Sequence, residues 1–250
     1  MKLSDLENRH IGQMGFVLGA GPSLHFQDVA PLRDYVTIAT NSSILKVPDC
    51  DYFVTDDTAA TEWNYWKENV RRGRCLKLLY ETKLKDHVSG LSEEDYLFFK
   101  HKTWYEPSTK KYPAGGLIMT KEATSPIIGA RTSLATAIHW AYIFGCDPIV
   151  LLGADCCYKN NKRYFWQFPG EKKAVRYDRQ PVWSTPNKGK KEGQPVDQHC
   201  VDFLDYWQQF ADVNVNKTNI IYASEGGILK CFPTMTLKDV IDKYGERRKA

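Results

Sequence analysis

Short apolar runs, each ending in small or polar residues and each separated by polar or helix-like stretches, set the organisation of this chain. Phe16-Val17-Leu18 ends in Gly19-Ala20-Gly21-Pro22-Ser23 and predicts a strand over 15–19, a glycine turn, and then a helix or turn through Asp34. Tyr35 to Thr40 is a β-branched run ending at Asn41-Ser42, and 51–55 is a third strand ending at Asp56-Asp57. Ala59–Arg72 reads as a helix, 75–80 as a fourth strand, and Ser92–Lys100 as a further helix within a polar stretch. Ser133–Phe144 is the strongest helix, capped by Thr132 or Ser133 and stopped by Gly145. Residues 148–153 form a continuous apolar strand ending at Asp155, of the kind covered on both faces of a parallel sheet. An amphipathic helix over Val196–Ala211, a strand over Asn219–Tyr222 and a helix over Thr236–Tyr244 complete the pattern. Alternation of this type predicts an α/β fold, a Rossmann-like doubly wound, mostly parallel sheet, in one domain over 1–250.

Between 156 and 196 periodicity is lost. Ten Lys or Arg stand there between 158 and 191 against Glu171 and Asp178, interleaved with Tyr158, Tyr164, Phe165, Trp166, Phe168, Tyr177 and Trp183. This local excess of +8 leaves −4 elsewhere in a chain of net +4. A long basic, aromatic segment at a strand end predicts a lid or insertion over an anionic ligand, and its composition also suits a nucleic-acid backbone. The remaining composition is that of a soluble globular protein: no apolar run reaches 18 residues and the N-terminus lacks an apolar core. Seven scattered cysteines without a C-x-x-C predict reduced thiols, a cytoplasmic location and no zinc site.

Polar strand ends are where an open α/β sheet binds ligands. Asn41, Asp56, Asp57 and Asp155 are therefore candidates, with Gly19, Ala20, Gly21, Pro22 and Ser23 as a turn that approaches a phosphate closely. Arg131, Thr132 and Ser133, at a helix start, offer a cation, hydroxyls and amides to a phosphate. The turn satisfies neither the G-x-G-x-x-G fingerprint, since Leu24 takes the third glycine position, nor the Walker A pattern. His139 lies inside a helix and reads as structural, whereas His25 follows the glycine turn.

Four blocks in order, GAGPSL, YFVTDD, ARTSLATAIHWAYIFGCDPIVLLGAD and YASEGGILKCFP, carry a resemblance. They are similar to the group of 6-hydroxymethylpterin diphosphokinase-like proteins, central domains of flagellin-modifying motility accessory factors, and bacterial lipooligosaccharide-type sialyltransferases, over roughly 12–60, 128–165 and 197–244. The resemblance implies a nucleotide-binding domain and, in the sialyltransferase branch, a lid over a CMP-sugar. It assigns donor binding to Gly19–Ser23, Asn41 and Thr132-Ser133, and phosphate stabilisation to Tyr158 and Tyr164, six residues apart. A histidine in the region of His199 would act as the base. Ala20, where the sialyltransferases carry asparagine, and Glu225-Gly226-Gly227 match the other two branches better. Asp56 or Asp57 after the third strand also stands where the sialyltransferases carry asparagine, a carboxylate that would suit CMP only by binding ribose hydroxyls or Mg²⁺.

Three functions follow as expectations. The first is a glycosyltransferase moving a sugar from a nucleotide-sugar donor to a hydroxyl of a glycan, protein or nucleic acid, with His199, Tyr158 and Tyr164 catalytic. It needs no tightly bound cofactor. The second is an Mg²⁺-dependent diphosphokinase, using Asp56, Asp57 and Asp155 as ligands. The third is a nucleic-acid module built on the basic segment.

Overall fold

The computed structural model describes residues 1–102, 116–128, 132–177 and 186–246. Its centre is a sheet in which every pair is parallel: β1 (Gly15–Leu18), β2 (Val36–Thr40), β3 (Tyr52–Thr55), β4 (Leu76–Tyr80), β5 (Tyr96–Phe99), β6 (Ile149–Leu152) and, after a small antiparallel hairpin of β7 (Lys190–Lys191) and β8 (Gln194–Pro195), β9 (Ile220–Tyr222). The spatial order is β5-β4-β3-β2-β1-β6-β9. Strand order therefore reverses between β1 and β6, the place where a doubly wound sheet opens a crevice at its carboxyl edge.

Alternate residues of the strands feed two cores. Val17, Ile38, Val54 and Leu78 pack on one face with α2 (Ser133–Ile143) and α3 (Gln198–Asn214). Phe16, Leu18, Phe53 and Leu79 pack on the other with Trp66, Phe165 and α4 (Leu237–Tyr244). Every residue of α2 is buried, so this helix is enclosed on all sides. Its one histidine, His139, accepts from the amide of Ile128 through Nδ1 (2.9 Å), and its Nε2 lies 2.9 Å from the Thr120 carbonyl. It is a packed structural residue, and burial lowers its pKa to about 3.

Two predicted elements differ, and a third takes the turn form of its two expected alternatives. Ser92–Lys100 is not a helix. Ser92–Asp95 turns, and Tyr96–Phe99 pairs with β4 as the edge strand, because its aromatic run is half-buried against the sheet. Ala59–Arg72 breaks into a 3₁₀ turn (Thr58–Glu62) and a single π turn (Trp66–Val70). Between them Trp63 and Asn64 pair instead with Arg176 and Val175, which diverts the backbone from a continuous helix. After β1 there is only a five-residue 3₁₀ turn, Pro22–Phe26, and then a second, Ala30–Asp34.

Candidate active site

A cleft of about 800 Å³ runs along the carboxyl edge of the sheet. Its floor is made by successive strand tips: Gly153 to Asp155 after β6, Gly19 after β1, Asn41 after β2, Asp56 and Asp57 after β3, Tyr80 at the end of β4 and His101 beyond β5. The segment that follows Asp155 forms one wall, contributing Arg163, Tyr164 and Trp166.

The glycine turn is built differently from expectation. The amides of Gly19 and Gly21 donate to the carbonyls of Leu152 and Gly153 (2.8 and 2.9 Å), and Leu24 donates to Gly21. Ser23 gives both its amide (3.0 Å) and its hydroxyl (2.8 Å) to Asp155. Pro22 has no amide to give. The turn is thus not a cradle of open N–H groups. A Cβ on Gly19 would lie 2.5 Å from the Gly153 carbonyl, and one on Gly21 only 2.0 Å from the Asp155 carboxylate. These glycines exist so that the β1 and β6 loops can pack against each other. Ala20 and Pro22 still line the cleft, whereas Ser23 is buried behind it.

Asp155, 2% exposed, fills the position at which an anion was expected. Burial raises its pKa to about 7, against the two bonds from Ser23. Asp56 is the second buried carboxylate. It accepts from the Ser133 hydroxyl and from Thr136 Oγ1 (3.2 Å), and burial raises its pKa. Asn41, held at a positive φ of 48°, joins the same network, accepting from Thr55 (2.7 Å) and reaching Ser133 with its amide (3.4 Å). Thr132 caps α2 by accepting from the Leu134 amide. Asp57 is exposed and caps the following turn through the Ala59 amide (3.0 Å). Arg131 lies outside the described residues.

No three metal-ligating groups converge among the described residues. Asp56 and Asp155 stand at the tips of β3 and β6, three strands apart, which is about 14 Å at the usual strand spacing. Each carboxylate is held by hydroxyls of the chain, Asp56 by Ser133 and Thr136 and Asp155 by Ser23. Among the described residues Asp56, Asp57 and Asp155 do not form a metal-ligating group.

Tyr158 and Tyr164 separate. Tyr164 lines the cleft, its ring stacked on Trp166 at 5.2 Å. Tyr158 is buried and donates to Asp197 Oδ2 (2.9 Å). Arg163 donates to the same oxygen (2.9 Å), while Asp197 Oδ1 caps α3 through the Cys200 amide. A buried carboxylate needs several donors, and this requirement takes up the Tyr158 phenol. Its consequence is a guanidinium, Arg163, fixed in the cleft wall. Trp166 donates from Nε1 to Ser42, and the Phe165 amide donates to the Ala20 carbonyl, so the lid aromatics tie this segment onto the glycine turn. Trp183 lies outside the described residues.

Four further candidate residues lie outside the cleft lining. His199 is exposed near the start of α3, with Phe203 as its aromatic neighbour, and is not part of the lining. Glu225 and Gly226 form an exposed turn after β9, with Gly226 close to Lys159. His25 stacks on Phe168 and pairs with Glu171 (2.8 Å).

His101, Tyr80, Lys83 and Lys102 were absent from the predicted site. His101 stacks flat on Tyr80 at 4.1 Å. Its side chain is 10% exposed, its Nε2 lies 3.8 Å from Asp56 Oδ2, and among the described residues that nitrogen has no hydrogen-bond partner. Burial, and secondly the charge of Lys83, lower its pKa to about 4. The signal that could have found it is the strand-tip rule, once Tyr96–Phe99 is read as a strand.

Comparison with protein-family models gives no match, and neither does comparison with curated protein sequences. Among solved structures, the MAf glycosyltransferase from Magnetospirillum magneticum AMB-1 matches 99% of this chain and 40% of its own, at 14% identity and a TM-score of 0.52. The present chain thus spans about two-fifths of that protein's length. At this identity the likeness is one of architecture, and the chain is a Rossmann-like α/β protein with the fold of a segment of that glycosyltransferase.

Proposed function

We propose that this protein is a glycosyltransferase that moves a sugar, with inversion, from a nucleotide-sugar donor to a hydroxyl acceptor. One observation carries the proposal: a single cleft at the carboxyl edge of the sheet spans the β1–β6 reversal and combines a fixed guanidinium with aromatic faces. Arg163 suits the donor phosphates, and Tyr164, Trp166 and Trp63 suit a base or sugar ring. The shared architecture with a known glycosyltransferase supports the same reading. Developing charge on the leaving phosphate would be met by Arg163 and by the Tyr164 phenol, a form of stabilisation that requires no metal. CMP-linked nonulosonates are the donors suggested by the sialyltransferase-like blocks, and a glycan, protein or nucleic acid is the acceptor.

Thermal shift with CMP, UDP, GDP and ADP, and with ATP in the presence and absence of Mg²⁺, tests the proposal. A ligand bound only by the folded chain stabilises it by about 2.7 kcal/mol at 100 times its Kd. At least one nucleoside phosphate is expected to raise Tm without added metal. If none does, nucleotide-sugar chemistry is excluded, and a response to ATP with Mg²⁺ alone would favour the diphosphokinase instead.

A further inference from the structure

We infer that His101 is the general base of the transfer, with Asp56 as the carboxylate that stabilises its protonated form; this rests on the glycosyltransferase reading and names the acceptor end of the cleft. Three features place the pair there. Both side chains line the cleft, and both are 10% exposed. The Nε2 atom of His101 is buried and, among the described residues, lacks a hydrogen-bond partner. A buried polar nitrogen without a partner costs free energy that a ligand hydroxyl recovers on binding. The ring is also held rigidly, lying flat on Tyr80 at 4.1 Å with its planes 9° from parallel.

Distance along the sheet separates the two ends. The tip of β5 is four strands from β1, about 19 Å at the usual spacing, and the Asp56 tip is two strands away, about 10 Å. A donor anchored near the β1–β6 reversal by Arg163 therefore leaves the β3–β5 tips to the acceptor. Among the described residues, His101 is faced by Asp56 after β3 and Tyr80 at the end of β4, with the charge of Lys83 acting on it, and Asp57 and Lys102 share the cleft lining. Burial and Lys83 keep the ring neutral, which is the form a base requires.

In the transfer the acceptor O–H gives its proton to Nε2 as its oxygen bonds to the anomeric carbon. The bond from that carbon to the donor phosphate oxygen breaks, and its electron pair leaves on the phosphate. Asp56, 3.8 Å from Nε2, stabilises the imidazolium until the proton passes to solvent.

The test uses CMP-N-acetylneuraminate, UDP-glucose and GDP-mannose, with nucleotide release measured between pH 5.5 and 9. His101→Gln is expected to lower kcat by about 10²–10⁴-fold, the usual worth of a positioned base, with nucleotide affinity changed less than about threefold. The wild-type rate should be flat over this range, whereas that of H101Q should rise with pH as hydroxide replaces the missing base. Imidazole should restore His101→Ala, which a purely structural defect would not allow. A rate within about threefold of wild type in H101Q overturns the inference, as does a loss confined to nucleotide binding, or a loss produced by His199→Gln instead. A second arm needs no turnover. The histidine ring resonance that disappears in H101Q should change its titration midpoint in Asp56→Asn, and an unmoved midpoint disproves the pairing. This arm distinguishes failure of the His101–Asp56 pair from failure of the nucleotide-sugar reading, since the latter shows itself in the thermal-shift panel alone.

Discussion

Asp155 is the residue on which the β1–β6 end of the cleft depends. It answers the amide and hydroxyl of Ser23, and it stands where a bound phosphate was expected from the glycine turn. Asp155→Ala leaves two buried donors without an acceptor, which costs about 1–3 kcal/mol and should appear as a lower Tm. On the proposed function, the donor phosphate is gripped by side chains, Arg163 foremost. Arg163→Lys keeps the charge but loses the planar fork and the geometry set by Asp197, so nucleotide affinity should fall about tenfold or more in a calorimetric titration. Retained affinity in R163K would show that the phosphate lies elsewhere.

At the scale of elements, the β1 and β6 loops act as one unit. A methyl group on Gly21 would press on both Asp155 and the Gly153 carbonyl. Gly21→Ala should cost about 1–3 kcal/mol as overpacking, and combining it with Asp155→Ala should cost less than the sum of the two, because one removes the other's obstacle. Denaturant midpoints of the two single variants and the double variant measure this. The same elements show what the chain's pattern reveals. β1, β2, β3 and β6 are buried on both faces and read as apolar or β-branched runs, so they and their tips at Gly19, Asn41, Asp56 and Asp155 are recognisable. β5 lies at the edge, preceded by Glu93, Glu94 and Asp95, and its run resembles one face of a helix. With that strand hidden, His101 could not be seen as a tip. Tyr158 was misplaced for another reason: its spacing to Tyr164 is visible, but the buried carboxylate of Asp197 that claims its phenol comes from 39 residues away.

Across the whole molecule, buried titrating groups of opposite effect set the acid response. His139 and His101, at about 3 and about 4 in the folded chain, stay neutral where the unfolded chain protonates near 6.5, so stability is lost as pH falls below that value. Asp155, at about 7, retains a proton that the unfolded chain releases near 3.9, so its contribution is present at low pH and lost as pH rises through 7. Tm measured from pH 7.5 to 4.5 should fall toward acid less steeply in His139→Gln than in wild type, even though the variant starts lower. An unchanged slope would mean that His139 does not govern this flank.

The order of the sheet has a consequence for synthesis. β1 finds one neighbour, β2, soon after it is made, but its other neighbour is β6, where Gly15 lies opposite Ile149. Until more than half of the chain has emerged, Phe16-Val17-Leu18 is an unpaired apolar edge, and long-range parallel pairing of this kind forms slowly. A nascent chain stopped before β6 therefore presents a sticky border to its surroundings. The completed protein hides that border between β2 and β6, inside the sheet.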